Sequence, residues 1–280
     1  MNKTNIILTI ILLIFLIVVI ILTNLSKEEN IDTSNYDFKI YFFNAGKADA
    51  IIISNNNKYI MIDTGEESLS PEILSYFKNN NINELEYLII THFDKDHVGS
   101  AASIINNIKV NNVFQSNYPK DSEYYNNYLN ALSNKNITPK TIEGNYEFTL
   151  EDLNIVVNGP IKIYDKNESN NSSLIVKINY KNTNYLFMGD AENARLKDYV
   201  SEETNTYDFI KIPYHGNYLK RLDDLLEIIK PKYAVITSSN SMRESSETIN
   251  TLSELGIKYY LTRNGDINIY SDGTSIIIDD

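Results

Sequence analysis

The chain has 280 residues, 42% of them hydrophobic, and a formal net charge of −12 at neutral pH. That is enough length for one large or two small domains and enough apolar content for a packed core, which excludes a disordered or fibrous protein. Residues 1–26 carry only Lys3, so the remainder sets 24 basic against 37 acidic side chains, a balance that repels polyanions at long range and excludes generic nucleic-acid binding. With no cysteine there is neither disulfide nor thiolate ligand, and any metal must rest on histidine and carboxylate.

From Ile6 to Leu25 the chain is uncharged and apolar, and about 20 residues at roughly 1.5 Å each match a hydrocarbon core of about 30 Å. A small-x-small cleavage site is missing, so an uncleaved single-pass membrane anchor over residues 1–25 is favoured over a removed signal. Lys3 before the span weakly places the amino terminus inside the cell and the domain that follows outside it. Residues 26–36 are a polar tether, and a folded domain occupies 37–280.

Within that domain, runs rich in β-branched residues predict strands at 39–43, 50–54 and 58–63, the last two joined by an Asn-rich hairpin. Ser70-Pro71 opens a helix that Asn79–Asn81 stop. A buried strand at 86–91 leads into a loop at 92–98 and a helix at 99–105. Beyond a strand at 110–115, a helix from Asp121 to Leu129 spaces its tyrosines for packing, with base stacking as the alternative role. Strands follow at 146–150, 153–158, 174–180 and 184–188, with a polar loop at 165–173. The tail alternates: helix 191–200, strand 209–212, helix 219–229, strand 232–237, helix 247–255 and strand 257–261. A hairpin through Arg263-Asn264-Gly265-Asp266 leads to a last strand at 274–279. The order predicts two packed sheets with helices outside.

Two of the three histidines stand in Thr91-His92-Phe93-Asp94-Lys95-Asp96-His97, where His92, Asp94, Asp96 and His97 put four potential ligands into six residues. A loop at a strand end can turn several side chains toward one point, whereas strand alternation would separate them, so the run predicts a metal site. Asp190, after the apolar strand and Gly189, reads equally as a capping residue or a ligand. His215 also ends an apolar strand, where a lone histidine is more often structural. Both gain weight together, because all three histidines and Asp190 end at loops after buried strands that one sheet edge could gather. Asp63 before Thr64-Gly65 reads as a group that orients the histidine loop.

The series Asp63-Thr64-Gly65, His92-x-Asp94-x-Asp96-His97, Gly189-Asp190 and His215-Gly216 resembles the metallo-β-lactamase superfamily. Asn44–Ala50, Asn170-Asn171-Ser172-Ser173, Lys211-Ile212-Pro213-Tyr214-His215-Gly216 and Lys230–Ala234 resemble more closely the lactamase-like domain of the ComEC competence proteins. The likeness covers roughly residues 38–280. It implies an α+β fold, an αββα sandwich with a metal site at one edge, and hydrolysis as the usual chemistry.

Asp94 stands where the superfamily usually has histidine, and Asn170 and Asn171 occupy about the place of a further histidine, both as in ComEC-like domains. Tyr214 and the Ser241-Met242-Arg243 segment also depart from the pattern. The resemblance then assigns one cation position to Asp96, His97, Asp190 and His215 and a weaker one to His92, Asp94 and bridging Asp190. One or two divalent ions follow, zinc by family habit or manganese by the hardness of the carboxylates. Asp96 and Asp190 are the expected catalytic carboxylates, with Asp63, Asn170 and Asn171 behind the ligands.

The expected function is a membrane-anchored phosphodiesterase or nuclease acting on DNA outside the cell. A cell-wall phosphodiesterase acting on teichoic acid or phosphocholine is the alternative enzyme, and a non-catalytic metal-binding interaction domain is the alternative from another class.

Overall fold

Alternation along Phe38–Phe42 (β1) turns Phe38, Ile40 and Phe42 to one face of the sheet and Lys39 and Tyr41 to the other, and the same period governs most strands. In the computed structural model, which describes residues 14, 15, 33, 36–164 and 168–280, the chain divides into the units Met1–Asn35 and Tyr36–Asp280. The membrane span expected over residues 6–25 lies outside the described residues except for Ile14 and Phe15, which are helical and exposed. Among the described residues no helix is long and apolar enough to cross a membrane.

In the second unit the described residues form two sheets. The first has eight strands in the order β15-β14-β1-β2-β3-β4-β5-β6: Ile276–Asp279, Ile267–Ser271, β1, Ala50–Asn55, Lys58–Thr64, Glu84–Ile90, Lys109–Gln115 and Lys140–Thr141. The second has seven in the order β13-β12-β11-β10-β9-β8-β7: Lys258–Leu261, Tyr233–Ile236, Phe209–Lys211, Thr183–Phe187, Ile175–Tyr180, Leu153–Gly159 and Gly144–Leu150. Phe38, Phe42, Ile53 and Ile62 of the first sheet meet Val157, Val176, Phe187 and Phe209 of the second in a shared core. Met61, Leu88 and Ile90 face the other way, against helices α1 (Ser70–Asn79), α3 (Ala101–Asn107) and α4 (Glu123–Asn134). Leu186, Ile210 and Ala234 likewise pack under α6 (Asn193–Glu202), α7 (Leu222–Ile229) and α8 (Ser246–Glu254). Helices thus cover the outer face of each sheet, the αββα arrangement that the resemblance implies.

Local chemistry sets the helix starts. Pro71 lies in the first turn of α1, and Ser122 and Ser245 accept the backbone N–H of Tyr125 and Thr248 to cap α4 and α8. Two sequence expectations are corrected. The stretch 263–266 is no hairpin: Gly265 is extended at φ 168°, and the chain crosses there from β13 in one sheet to β14 in the other, a strand the sequence reading missed. The hairpin lies one strand later, between β14 and β15. The stretch 92–98 is also not all loop, since Lys95–Val98 form a helical turn (α2) with its own N–H···O bonds back to Asp94.

One buried carboxylate outside the candidate site makes a stability prediction. Glu203 accepts hydrogen bonds from Tyr199 at 2.6 Å and Tyr207 at 2.9 Å, pairs with Lys177 at 2.6 Å, and takes the Asn205 N–H at 2.9 Å. Burial pushes its pKa up, but Lys177 and these donors outweigh burial and hold it down at about 2, against an ordinary 4.5. The stabilisation is therefore present above pH 4.5 and is lost as pH falls through about 2. Glu203→Gln is expected to cost on the order of 2 kcal/mol at pH 7 by urea unfolding, with the gap to the parent narrowing below pH ~4. A gap that stays constant down to pH ~2.5 would show that the carboxylate charge is not its source.

A candidate metal centre at one edge of the sandwich

Strands β3, β4 and β5 run parallel in the first sheet, as do β10, β11, β12 and β13 in the second, so their carboxyl ends gather side chains along one edge of each sheet. Asp63 is the penultimate residue of β3, His92 follows β4, Gly189-Asp190 follow β10, Lys211 ends β11 with His215 beyond it, and Thr237 follows β12. Asp49 arrives from the opposite direction, at the start of antiparallel β2, where Ala50 pairs with Thr64.

Four candidate ligands converge. His97 Nε2, His215 Nε2 and Asp190 Oδ2 lie 3.3, 3.4 and 3.1 Å apart, and Asp96 Oδ2 is 3.5 Å from His215 Nε2. Ligands about 2.1 Å from a tetrahedral cation are themselves about 3.4 Å apart, so these edges fit a zinc- or manganese-sized ion. Asp96, His97, Asp190 and His215 offer one atom each within a 4.8 Å cluster.

The imidazoles are aimed from behind. His97 Nδ1 donates to Asp63 Oδ2 at 2.8 Å. Thr237 spends its hydroxyl proton on Asp49 Oδ1 at 2.6 Å, so toward His215 Nδ1, 2.9 Å away, it can only accept. Thr91 gives its proton to Asp63 at 2.6 Å and likewise accepts from His92 Nδ1 at 3.1 Å. All three rings therefore carry hydrogen on Nδ1, which leaves Nε2 as the ring atom that a cation binds once it has displaced any proton there. His92 Nε2 and Asp190 Oδ1 are buried with no hydrogen-bond partner, which is costly unless something else meets them.

Electrostatics agrees with the geometry. Burial disfavours charge on His97, but Asp190 and Asp63 outweigh it and hold its pKa well above the ordinary value. Burial acts against Asp190 too, and His215 and His97 outweigh it, leaving that carboxyl well below its usual range. Burial, reinforced by His97, pushes His92 down to about 3, so it stays neutral. A cation entering the cluster takes the place of protons, and its affinity falls with pH.

Beneath the ligands lies a buried lysine. Lys211 pairs with Asp49 Oδ2, donates to the Gly189 carbonyl at 3.0 Å and sits 3.7 Å from Asp190 Oδ1. Burial raises Asp49, but Lys211, His215 and His97 together hold it below its ordinary pKa. Asp49 also belongs to a second convergent trio with Asp63 and His97. The oxygens of that trio already serve Lys211, Thr237, Thr91 and His97, so it supports the first cluster and does not form a separate cation site.

The backbone is bent to fit. Asp63, Tyr214 and His215 hold φ near +50°, a left-handed region sparsely used by non-glycine residues and concentrated at functional sites. Gly189 shares that conformation, and a Cβ there would stand 3.0 Å from Thr91 and 3.1 Å from Ser173, the two residues that flank His92 and Asp190.

Other expected positions fall differently. Asp94 lies outside the cluster, with Oδ1 3.9 Å from His92 Nε2 and 2.5 Å from Lys120 Nζ. Asn170 reaches Glu192 at 2.8 Å, and Asn171 takes the Arg195 backbone N–H at 3.0 Å, which ties the helical turn α5 (Glu168–Asn171) to α6. In that stretch the hydroxyls touching candidate ligands belong to Ser169, on Asp94, and Ser173, which accepts the Asp190 N–H at 3.1 Å. Asp49, Thr91, Thr237, Lys120 and Lys211 were given no role from sequence. Asp49 stood within Asn44–Ala50 of the resemblance, and Lys211 stood out as a cation inside the apolar run Phe209-Ile210-Lys211-Ile212.

Comparison with known proteins agrees with this architecture. The family model described as "Metallo-beta-lactamase superfamily" matches residues 44–238. Among curated proteins the chain is similar to "ComE operon protein 3" of Bacillus subtilis, 25% identical over 64% of this chain and 23% of that one. It is also similar to "Recombination protein 2" of Haemophilus influenzae, 27% identical over 69% and 23%. The match thus takes in under a quarter of either relative's length. Among solved structures, the diiron β-hydroxylase CmlA of Streptomyces venezuelae superposes with TM-score 0.55 at 12% identity, covering 84% of this chain and 54% of that one. The metallo-beta-lactamase fold protein YhfI of Bacillus subtilis gives 0.53 at 6%, covering 87% and 100%. Zn(2+)-bound PqqB of Methylobacterium extorquens gives 0.51 at 9%, covering 79% and 97%. One family model over well over half of the chain, with two sheets that bring His97, His215 and Asp190 to one point, places this protein in the metallo-β-lactamase superfamily.

Proposed function

We propose that this chain is a divalent-metal-dependent phosphodiester hydrolase that acts on DNA, held at the membrane by residues 6–25 with its folded unit outside the cell. The observation that carries the chemistry is the convergence of two Nε2 atoms and a carboxylate oxygen at 3.1 to 3.4 Å, each imidazole backed by its own acceptor. A divalent cation held there supplies Lewis-acid polarisation of a phosphoryl oxygen and brings the pKa of water toward neutrality.

The chain's own groups do the rest. Asp63 and the Thr237–Asp49 pair keep the Nε2 atoms of His97 and His215 turned inward. Asp190 sets one carboxylate oxygen between those rings, while the Lys211 ammonium stands 3.7 Å from the other oxygen and the Ser173 hydroxyl holds the Asp190 backbone by accepting its N–H. Asp96 has the most exposed side chain of the four, at 24%, and orients attacking water by accepting its hydrogen bond.

DNA as the substrate is supported by the name of the Haemophilus relative, which places that protein in recombination. The acidic surface gives no long-range attraction, so the local cations at the rim take that task. Lys47, bonded to Asn217 at 3.0 Å and 5.9 Å from the Tyr214 ring centre, is one, and Lys120 is another.

The test is turnover by the full chain in detergent with Mn²⁺ or Zn²⁺, against bis(p-nitrophenyl) phosphate, single- and double-stranded DNA, and teichoic acid. Cleavage of the diester and of DNA, abolished by EDTA, is the expected result. Cleavage of teichoic acid alone would move the substrate to the cell wall, and no turnover with metal bound would leave a non-catalytic binding domain.

A further inference from the structure

The second cation position of the resemblance would use His92, Asp94 and bridging Asp190, yet among the described residues these three do not form a convergent ligand group. Asp94 Oδ1 is the oxygen that faces His92, 3.9 Å from its Nε2. That same oxygen pairs with Lys120 Nζ at 2.5 Å and accepts the Ser169 hydroxyl. A carboxylate oxygen has two lone-pair sites, and Lys120 and Ser169 occupy both. A cation bound to it would need to expel an ammonium, because two positive charges sharing one oxygen repel.

Lys120 reaches Asp94 from the loop between β5 and α4, while Ser169 arrives from the turn after β8, so two separate segments of the chain close on this one atom. An exposed ion pair alone contributes little, but this one has a half-buried acid: side-chain exposure is 29% for Asp94 and 35% for Lys120.

We propose that Lys120 fills the charge of the second cation, so that the chain loads a single divalent ion at Asp96, His97, Asp190 and His215. The Lys120 ammonium then presents at the rim the positive charge that a second ion would offer an anionic substrate. This rests on the reading of the cluster as a metal centre.

The experiment is Mn²⁺ titration of the full chain without substrate, by equilibrium dialysis and electron paramagnetic resonance, on the parent, Lys120→Met and Lys120→Arg, with folding followed by circular dichroism. The parent is expected to saturate at one Mn²⁺ per chain with an uncoupled spectrum. Lys120→Met should bind a second Mn²⁺ at least tenfold more tightly than the parent and show an exchange-coupled pair, and Lys120→Arg should stay at one. Two ions bound by the parent with similar affinity would overturn the inference and leave the metal centre standing. So would an unchanged second constant in folded Lys120→Met, or two ions in Lys120→Arg. No Mn²⁺ bound by the parent would overturn the metal centre itself.

Discussion

Asp190→Asn is expected to lose at least 90% of its bound divalent metal after dialysis and to lower phosphodiesterase activity about 100-fold or more, corresponding to roughly 2.7 kcal/mol of transition-state stabilisation. The reason is position: Asp190 Oδ2 stands 3.1 Å from His215 Nε2 and 3.4 Å from His97 Nε2, whereas Asp49 approaches the same two rings only at Nδ1. Asparagine keeps the size and removes the charge that offsets a cation. His215→Ala removes one neutral ligand and is expected to cost less, and Asp63→Asn, acting through His97, on the order of 10- to 100-fold in metal affinity. Inductively coupled plasma analysis and diester turnover on the three variants, each checked for folding, give the ranking. A folded Asp190→Asn that keeps its metal and more than about a tenth of its activity would remove Asp190 from the centre.

Lys211→Met is expected to destabilise the metal-free chain by about 3–5 kcal/mol, because it removes one partner of a buried ion pair and leaves the other charged. Lys211 and Asp49 are both nearly inaccessible, at 0% and 2% side-chain exposure, and the Gly189 carbonyl loses its donor at the same time. Against a typical total of about 5–15 kcal/mol this is a large fraction. In thermal unfolding it corresponds to a fall of about 10 °C or more. Asp49→Asn in the same chain should recover part of the loss, since the stranded charge goes with it. A single variant that costs under about 1 kcal/mol would mean that water reaches Asp49 when the lysine is gone.

Much of the sandwich was legible because its strands are β-branched runs of the right length, and alternation such as Phe38-Lys39-Ile40-Tyr41-Phe42 states which face is inward. β14 was missed for a local reason. Asn264-Gly265 looks like a tight-turn pair, yet neither residue takes the left-handed conformation such a turn requires. At the site, His92 to His97 announced itself by spacing. Asp49 did not, because the atoms that give it meaning belong to Lys211 and Thr237, and Thr237 is 188 residues away along the chain. The Lys120–Asp94 pair was hidden in the same way: a lysine in a polar loop has no sequence pattern that names its partner.

The crossing from β13 to β14 also sets an order in time. β1 is made early, but one of its two neighbours, β14, pairs Ser271 with Phe38 and Ile267 with Phe42. Asp266, at the entrance to β14, clasps the same region, with its carboxylate on the Tyr41 hydroxyl at 2.5 Å and on the Asn44 N–H at 2.7 Å. While a ribosome is still adding residues 43 to 266, that edge of β1 has open N–H and C=O groups flanked by Phe38, Ile40 and Phe42. Non-local pairing of this kind slows folding and leaves a nascent edge that other chains can join. The alternate residues Lys39 and Tyr41 make that edge less uniformly apolar, and completion of the first sheet waits on synthesis of the last strands it contains.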